Sequence, residues 1–307
     1  MANTEVVQIA GSIIEWLYKP RVDRGWLSYL GLQQKKPVKI NIPSSYKMKN
    51  IKDPLIILLG SGTYGHVFRY KNYAIKIPTP DGFEELEKES KILIKINELY
   101  KGDQSLILKV VASGQYKEIQ YLILEYLDGY TNLFDYICAN MRNPRPIETN
   151  YIINQLRDGI CGIHDTGYAH YDLHPGNIMI NPTSQKICII DFGLSCHDMC
   201  SAFDGVDLSN DARYPADMND INNKVTAEMG QKLDLYFFAW VCCFVLSQGK
   251  VCATNYKLRE DHLKACDSYE KALRPFNIDL KRLLGLKETR HLCPIKTEVS
   301  AAKRRKP

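Results

Sequence analysis

The stretch that decides the fold is His170-Tyr171-Asp172-Leu173-His174-Pro175-Gly176-Asn177, which is followed by Asp191-Phe192-Gly193. It places a carboxylate, an amide and a second carboxylate in a short, ordered series. In a phosphoryl-transfer site the first carboxylate accepts the proton of the attacking hydroxyl. The amide and the second carboxylate hold Mg²⁺ against the nucleotide phosphates. The stretch therefore indicates phosphoryl transfer.

Composition fits a large folded protein without a nucleic-acid or membrane signature. The 307 residues are 45% hydrophobic, which is enough for one large domain or for two lobes that each bury a core. The net charge of +5 is modest and the lysines are spread among acids, so we expect no nucleic-acid partner. The longest apolar run, residues 235–246, is shorter than the roughly 20 residues of a spanning helix, so we expect no membrane span.

The chain ends and the cysteines bear on the cellular compartment. No basic flank precedes an apolar stretch at the start, so we expect an intracellular, cytoplasmic protein. The ten cysteines are accordingly expected to remain thiols. The sequence closes on Lys303-Arg304-Arg305-Lys306, for which a solvated tail is the favoured interpretation and a nuclear-import signal is the alternative.

Periodicity divides the chain into four segments. Residues 1–52 form an N-terminal extension, and we expect its amphipathic helix to pack on its own domain. The apolar stripe of that helix is Val6, Ile9, Ile13, Trp16 and Leu17. Residues 53–127 are predicted to form a small β-rich lobe, residues 128–295 a mostly helical lobe and residues 296–307 a basic tail.

The fold class predicted by these patterns is α+β. Strands are predicted at 55–59, 67–70, 73–77, 106–111 and 121–124, with one long helix at 83–100 among them. Beyond residue 129 the pattern becomes helical, near 131–140, 147–165 and 231–248. The polar stretch 195–231 is long enough to be predicted as a functional or mobile loop.

A glycine-rich segment lies between the first two predicted strands: Gly60-Ser61-Gly62-Thr63-Tyr64-Gly65. A strand follows it, so a strand-turn-strand hairpin is favoured over a dinucleotide-binding turn, which a helix would follow. Glycines in such a hairpin let backbone N–H groups approach phosphates. For this segment alone, a turn without a ligand is the alternative.

Lys76 stands in an apolar strand, within Ala74-Ile75-Lys76. Burying its ammonium group without a partner would be costly, so we expect a carboxylate and a polyanionic ligand nearby. We predict Glu89 on the following helix as that carboxylate. Glu85, one turn earlier on the same face, is the alternative.

In the order and spacing of these motifs the chain resembles eukaryotic-type protein kinases, from about residue 55 to residue 246. The resemblance implies a bilobal kinase fold and ATP and Mg²⁺ as cofactors, with Mn²⁺ as a substitute. It also implies protein substrates that are phosphorylated on Ser or Thr. Pro175, after the His174 position, is nearer the Ser/Thr pattern than the Tyr pattern.

The resemblance also implies a role for each site residue. Asp172 is the expected catalytic base, Lys76 pairs with the α- and β-phosphates and with Glu89, and Asn177 and Asp191 hold magnesium. Asp234 resembles the buried acid that braces the catalytic loop. The residues expected to bind ATP are Gly60, Ser61, Gly62, Thr63, Tyr64 and Gly65 at the phosphates, Val67, Ala74 and Met179 around adenine, and Glu125 and Leu127 at the hinge.

Three features depart from the family pattern. Tyr171 replaces the usual Arg before the catalytic Asp, so we expect that loop phosphorylation is not the switch. His174 replaces the usual Lys and places an imidazole near the γ-phosphate, within the catalytic set. No Ala-Pro-Glu closes the activation segment, and Tyr214-Pro215-Ala216-Asp217 is the nearest match.

These departures leave two alternative functions and a hypothesis about origin. One alternative is a pseudokinase that binds a nucleotide or a partner without turnover. The other is a small-molecule kinase, because His174-Pro175-Gly176-Asn177 is similar to the loop of aminoglycoside and choline kinases. Compact, divergent kinases of this kind resemble those of large DNA viruses and of bacterial effectors, whose substrates would be host proteins.

Overall fold

The computed structural model describes residues 4–18, 45–47, 55–142, 147–195, 199–200, 225–252, 264–265 and 268–273. The chain divides into two compact units. Unit 1 is Met1–Glu98 with Leu108–Asp128, and unit 2 is Leu99–Ile107 with Gly129–Pro307. Most of the predicted loop 195–231, the segment 214–217 and the basic tail 296–307 lie outside the described residues.

Unit 1 is built on an antiparallel sheet of six strands in the order β1-β2-β3-β4-β6-β5. A long helix, α2 (Phe83–Leu99), lies between β4 and β5 in the chain. Sheet and helices together confirm the predicted α+β fold class. The strands are β1 Ser45–Lys47, β2 Leu55–Ser61, β3 Gly65–Tyr70, β4 Tyr73–Pro78, β5 Val110–Tyr116 and β6 Ile119–Glu125.

One face of this sheet is covered by the N-terminal helix, α1 (Thr4–Leu17). Alternate strand residues such as Phe68, Ile75 and Ile123 form a single buried cluster with the apolar stripe of α1. At Gly11 a Cβ atom would lie 2.8 Å from the ring of Tyr116, so glycine allows the helix to approach β5 closely.

Two exposed polar clusters join α1 to the turns of the sheet. Glu5 accepts hydrogen bonds from Lys71 at 3.0 Å, and Glu15 accepts one from Lys117 at 2.6 Å. Exposed ion pairs contribute little to stability, about 0–1 kcal/mol each. The apolar stripe therefore supplies most of the energy of this packing, and the polar clusters fix the position of α1 along the sheet.

The opposite face of the sheet carries Lys76. In the antiparallel register Lys76 lies opposite Val67 and Leu122, and Ala74 lies opposite Leu124. Residues that oppose each other across antiparallel strands point to the same face. The sheet thus presents Lys76 together with Val67 and Ala74, two of the residues predicted to surround adenine.

Unit 2 is mostly helical. Its described helices are α3 Leu133–Arg142, α4 Thr149–Asp165, α5 Ala227–Leu246 and α6 Glu270–Leu273. Its strands are β7 Thr131–Asn132, β8 Ile178–Ile180 and β9 Ile187–Ile189 in one sheet, and β10 Met199–Cys200 paired with β11 Val225–Thr226. Almost every described side chain of α5 is buried, and none of the described helices is long and apolar enough to cross a membrane.

The strand predicted at 106–111 is wrong at its start, because β5 begins at Val110. Leu106 instead belongs to a 3-10 turn, in which the Asp103 carboxylate accepts the Ser105 N–H at 2.9 Å. Asn97 then takes over backbone hydrogen bonds: its amide donates to the Leu108 carbonyl at 3.1 Å, and its oxygen accepts from the Val110 N–H at 2.8 Å. A side chain thus replaces the sheet partner in this segment.

The expectation that all ten cysteines remain thiols is wrong at Cys161, which is disulfide-bonded. Five described cysteines are not disulfide-bonded: Cys138, Cys188, Cys242, Cys243 and Cys252. Burial raises the pKa of the Cys242 thiol well above its usual value, so this group stays protonated and unreactive.

Candidate active site

The glycine-rich segment forms the hairpin between β2 and β3, with a register shift after Leu58. The Gly62 N–H closes the turn by donating to the Gly65 carbonyl at 2.9 Å. A Cβ atom at Gly60 would meet no described heavy atom within 4 Å, and one at Gly62 would meet only the Gly65 carbonyl, at 4.0 Å. Packing among the described residues therefore does not require these two glycines, and their binding of phosphate stays a prediction.

The tip of this hairpin rests on the segment that links β4 to α2. Thr79 donates its backbone N–H to the Tyr64 carbonyl at 3.0 Å and its hydroxyl to the Thr63 carbonyl at 2.6 Å. A Cβ atom at Gly82 would overlap the Tyr64 carbonyl, so the close contact depends on glycine at that position. No motif in the sequence pointed to Thr79 or Gly82.

A histidine lies inside the same hairpin. The Nδ1 atom of His66 and the hydroxyl of Ser61 are hydrogen-bonded at 2.6 Å. His66 is buried, and burial lowers its pKa because the charged imidazolium loses its hydration. The hairpin therefore contains a histidine that favours the neutral form.

Lys76 and Glu89 meet as the sequence predicted. Lys76 Nζ lies 2.7 Å from Glu89 Oε2, and the two side chains are only 17% and 5% exposed. Glu85, the alternative partner, lies one turn earlier on α2 and is less buried than Glu89. A pair this short and this shielded fixes the direction of the ammonium group.

Asp172 and Asn177 are joined inside the catalytic loop. The Asn177 amide nitrogen donates to the Asp172 carboxylate at 3.0 Å and to the Asp172 carbonyl at 2.9 Å. The amide therefore orients the carboxylate that was predicted as the base. With its nitrogen used in this way, Asn177 keeps its amide oxygen, a ligand type that Mg²⁺ prefers, for a cation.

His174 is directed at the same carboxylate. Its Nδ1 atom accepts the Gly176 N–H at 3.0 Å, which places the ring proton of the neutral form on Nε2. Nε2 lies 3.7 Å from the Asp172 carboxylate, too far for a hydrogen bond. The half-exposed imidazole thus faces Asp172 without binding it.

Asp234 braces the catalytic loop from α5. Its fully buried carboxylate accepts the N–H groups of His170 and Tyr171, each at 2.7 Å. It also contacts His164 Nε2 at 2.9 Å, a partner that no sequence motif indicated. Tyr171 has a left-handed backbone, with φ of 65°, and its ring fills the space beside Gly230, where a Cβ atom would overlap it.

The second predicted metal ligand, Asp191, follows a strand that touches the catalytic loop. The Ile190 N–H donates to the Asn177 carbonyl at 2.9 Å, which brings the two predicted magnesium ligands to neighbouring stretches of chain. Asp191 is exposed and has φ of 61°. Phe192 is buried with its ring edge-on to His170 at 4.9 Å, and this contact holds the start of the segment in place.

The remaining predicted ATP-binding residues lie at strand ends. Glu125 ends β6, where its N–H donates to the Lys109 carbonyl at 3.0 Å, and Leu127 follows in the segment that ends unit 1. Met179 lies in unit 2 on β8, opposite Cys188 and Asn132. The contacts of these residues with a nucleotide remain predictions.

Part of the chain is similar to a known protein family. Residues 55–207 match the model of the protein kinase domain. That range contains both the glycine-rich hairpin and the catalytic loop, with Lys76, Asp172 and Asp191 between its limits.

Individual relatives are distant. The human myosin light chain kinase family member 4 is 30% identical over 145 residues, which are 45% of this chain and 36% of that protein. Calcium/calmodulin-dependent protein kinase type 1 of Caenorhabditis briggsae is 28% identical over 169 residues, 51% of this chain and 45% of that protein. Cyclin-dependent kinase B2-1 of Oryza sativa subsp. japonica is 29% identical over 151 residues, 45% of this chain and 46% of that protein.

The matched region spans less than half the length of each of these relatives. All three come from eukaryotes, and nothing in the comparisons supports the viral or bacterial origin suggested by the divergence of the sequence.

Proposed function

The chain belongs to the protein kinase family, and on that premise we propose that it transfers the γ-phosphoryl group of ATP to Ser and Thr hydroxyls of protein substrates, with Mg²⁺. The observation that carries the proposal is the pair formed by Asp172 and Asn177. A 3.0 Å hydrogen bond joins the carboxylate proposed as the proton acceptor to the amide proposed to bind the metal.

Each residue then has a defined task. Asp172 accepts the proton of the attacking hydroxyl while Asn177 holds its carboxylate in position. Lys76, oriented by Glu89, binds the α- and β-phosphates. The glycine-rich hairpin offers backbone N–H groups to the phosphates. Mg²⁺, when bound by the Asn177 oxygen and Asp191, would neutralise the negative charge that gathers on the phosphates.

The test is transfer of labelled phosphate from Mg-ATP to a generic Ser/Thr substrate and to the protein itself. Removing the base in Asp172→Ala should lower the rate about 10²- to 10⁴-fold, and Asp191→Ala should lower it as strongly. Asp158→Ala, which changes an exposed acid on α4, is the matched control and should leave the rate unchanged. Phosphoamino-acid analysis should find the label on Ser and Thr.

Transfer that persists in both active-site variants would contradict the proposal. The pseudokinase alternative is favoured by His174, which stands 3.7 Å from the base where the family has a lysine. It requires that the wild type binds Mg-ATP in calorimetry and transfers nothing. Transfer to choline or an aminoglycoside without transfer to protein would establish the small-molecule alternative.

The proposal places the protein inside the cell, because phosphoryl transfer of this kind needs ATP. Within the cell, the cytoplasm is the proposed location. The nuclear-import interpretation of residues 303–306 stays a prediction, and the distribution of a tagged protein with and without that run would test it.

A further inference from the structure

A cavity of about 440 Å³ lies beside the catalytic loop in unit 2. The catalytic loop contributes Asp172 and His174 to its lining, α3 contributes Phe134, and α5 contributes Trp240 and Phe244. Its volume falls in the range of about 300–1,000 Å³ that is typical of sites for specific ligands. The cavity thus joins the predicted base to a wall of aromatic rings.

The wall is apolar and partly exposed. Phe134 stacks on Phe244 with ring centroids 5.8 Å apart and the rings 9° from parallel, yet Phe134 remains 39% exposed. Covering exposed aromatic surface with another apolar group is favourable, since it removes that surface from water. The wall therefore suits an apolar occupant.

The charged groups of the lining limit what can enter. The described lining contains two carboxylates, Asp135 and Asp172, and neither lysine nor arginine. An acidic or phosphorylated side chain would meet the like charge of both carboxylates, and the imidazole of the described lining, His174, already faces Asp172 at 3.7 Å. Asp135 is exposed and already accepts a hydrogen bond from Asn132 at 2.6 Å, so water screens any pairing with a basic side chain.

We propose that this cavity binds a large apolar side chain, such as Leu, Met or Phe, of the protein substrate, within about three residues of the phosphorylated hydroxyl. The inference rests on the proposed function. Asp172 must lie within about 3 Å of the attacking hydroxyl, and the same residue lines the cavity. An extended chain advances about 3.3 Å per residue, so neighbouring substrate residues reach the aromatic wall.

The test uses short serine peptides in an alanine and glutamine background, with Leu or Phe placed in turn at each of the three positions on either side of the serine. With Mg-ATP, we expect one position to raise kcat/KM about 10- to 100-fold over the all-alanine peptide, as full burial of a large apolar side chain implies. A wild type that phosphorylates the peptides without any such preference would overturn the inference and leave the proposed function standing.

Two variants locate the preference in the cavity. Cys252 lines it and is not disulfide-bonded, so Cys252→Phe fills the space, and Phe134→Ala removes part of the wall. Both should reduce the ratio of kcat/KM between the two peptides toward 1. Tyr151→Ala removes an equally exposed aromatic side chain that lies on α4 outside the lining, and it should keep the ratio. A ratio unchanged in Cys252→Phe and Phe134→Ala would overturn the inference.

Direct binding separates failure of the inference from failure of the proposed function. Fluorescence polarisation of the labelled Leu peptide and alanine peptide needs no turnover, and thermal unfolding with and without Mg-ATP shows whether each variant is folded. Preferential binding of the Leu peptide that Cys252→Phe abolishes, in a protein that transfers no phosphate, would support the cavity and refute the activity. Equal binding of both peptides would overturn the cavity assignment.

Discussion

The part of unit 1 that carries Lys76, called the lysine side below, and the loop of unit 2 that carries Asp172, called the aspartate side, are held in place by different means. Lys76 is oriented by one ion pair with Glu89, 13 residues away in the chain. The loop that carries Asp172 is held by Asp234 on α5. The Asp234 carboxylate accepts the N–H groups of His170 and Tyr171, which lie 64 and 63 positions earlier in the chain. The first arrangement lies within one strand and the next helix, and the second depends on the tertiary fold.

This difference predicts how each side fails. The Lys76 side chain keeps 17% of its surface exposed, so water can solvate the ammonium group when the pair is lost, and the loss should disturb catalysis more than folding. Asp234 is fully buried with three hydrogen-bonding partners, so its loss leaves N–H groups unsatisfied in the interior. Catalysis and stability should therefore be separable on the lysine side and coupled on the aspartate side.

The largest effect is expected for Asp234→Ala. Removing a buried carboxylate that holds two N–H groups and a histidine should lower the free energy of unfolding by about 3–5 kcal/mol and abolish phosphate transfer. Urea unfolding followed by circular dichroism measures the first effect. Asp158→Ala should stay within about 0.5 kcal/mol of wild type, and an unchanged midpoint for Asp234→Ala would contradict the coupling.

Glu89→Gln should separate catalysis from stability. The amide keeps a hydrogen bond to Lys76 but loses its charge, so the ammonium is held less firmly and kcat/KM should fall about 10- to 100-fold. The free energy of unfolding should change by only about 1 kcal/mol. Lys76→Met combined with Glu89→Gln should be no slower than Lys76→Met alone. Full additivity of the two losses would show that the pair does not act as a unit.

On the lysine side, Gly82→Ala should lower the stability of the fold, whereas Gly60→Ala should lower the affinity for ATP. A methyl group at Gly82 overlaps the Tyr64 carbonyl, so it should destabilise unit 1 by about 1–3 kcal/mol. A methyl group at Gly60 meets open space, so stability should hold within about 0.5 kcal/mol while affinity for ATP falls. Unfolding curves measure the stability of each variant, and calorimetric titration measures its affinity for ATP. Equal stability losses in Gly82→Ala and Gly60→Ala would refute the distinction between the two glycines.

The smallest effect concerns His66 and pH. Burial lowers the pKa of His66 in the folded protein below its usual 6.5, so the unfolded chain binds the proton at a higher pH than the folded protein does. Stability from this residue is complete above pH 6.5 and is lost as the pH falls below it. His66→Gln should flatten that part of the profile in urea unfolding between about pH 7.5 and pH 5.5. An identical profile in the variant would assign the dependence to other groups.

Local sequence predicted the elements well where local forces decide them. The alternation in 73–77 and the helical stripe in 83–100 both match elements of the structure, β4 and α2. The helix predicted at 231–248 instead runs from Ala227 to Leu246, so it begins four residues earlier and includes Gly230. The ring of Tyr171 occupies the space beside that glycine, and no sequence pattern near residue 230 predicts this contact.

The predicted site residues also divide into those that local sequence could identify and those that only long-range contacts define. Motif order was enough to propose Glu89 as the partner of Lys76, with Glu85 as the alternative, and to place Asp172 and Asn177 in one catalytic loop. These residues are close in sequence and carry recognisable chemistry. The hydrogen bond between Asp234 and His164 spans 70 residues, and the contact between Tyr64 and Gly82 joins two segments without a shared motif. The cavity beside Asp172 draws on side chains from positions 132 to 252 and has no sequence signature.

The sequence by itself determined the family, the fold class and the chemical groups of the catalytic loop, because these depend on residue types at short spacing and on local periodicity. Tertiary structure alone decided which buried group braces that loop, which segment supports the glycine-rich hairpin and how the aromatic wall meets the predicted base. Such contacts join residues tens of positions apart, and they arise only when packing brings those parts of the chain together.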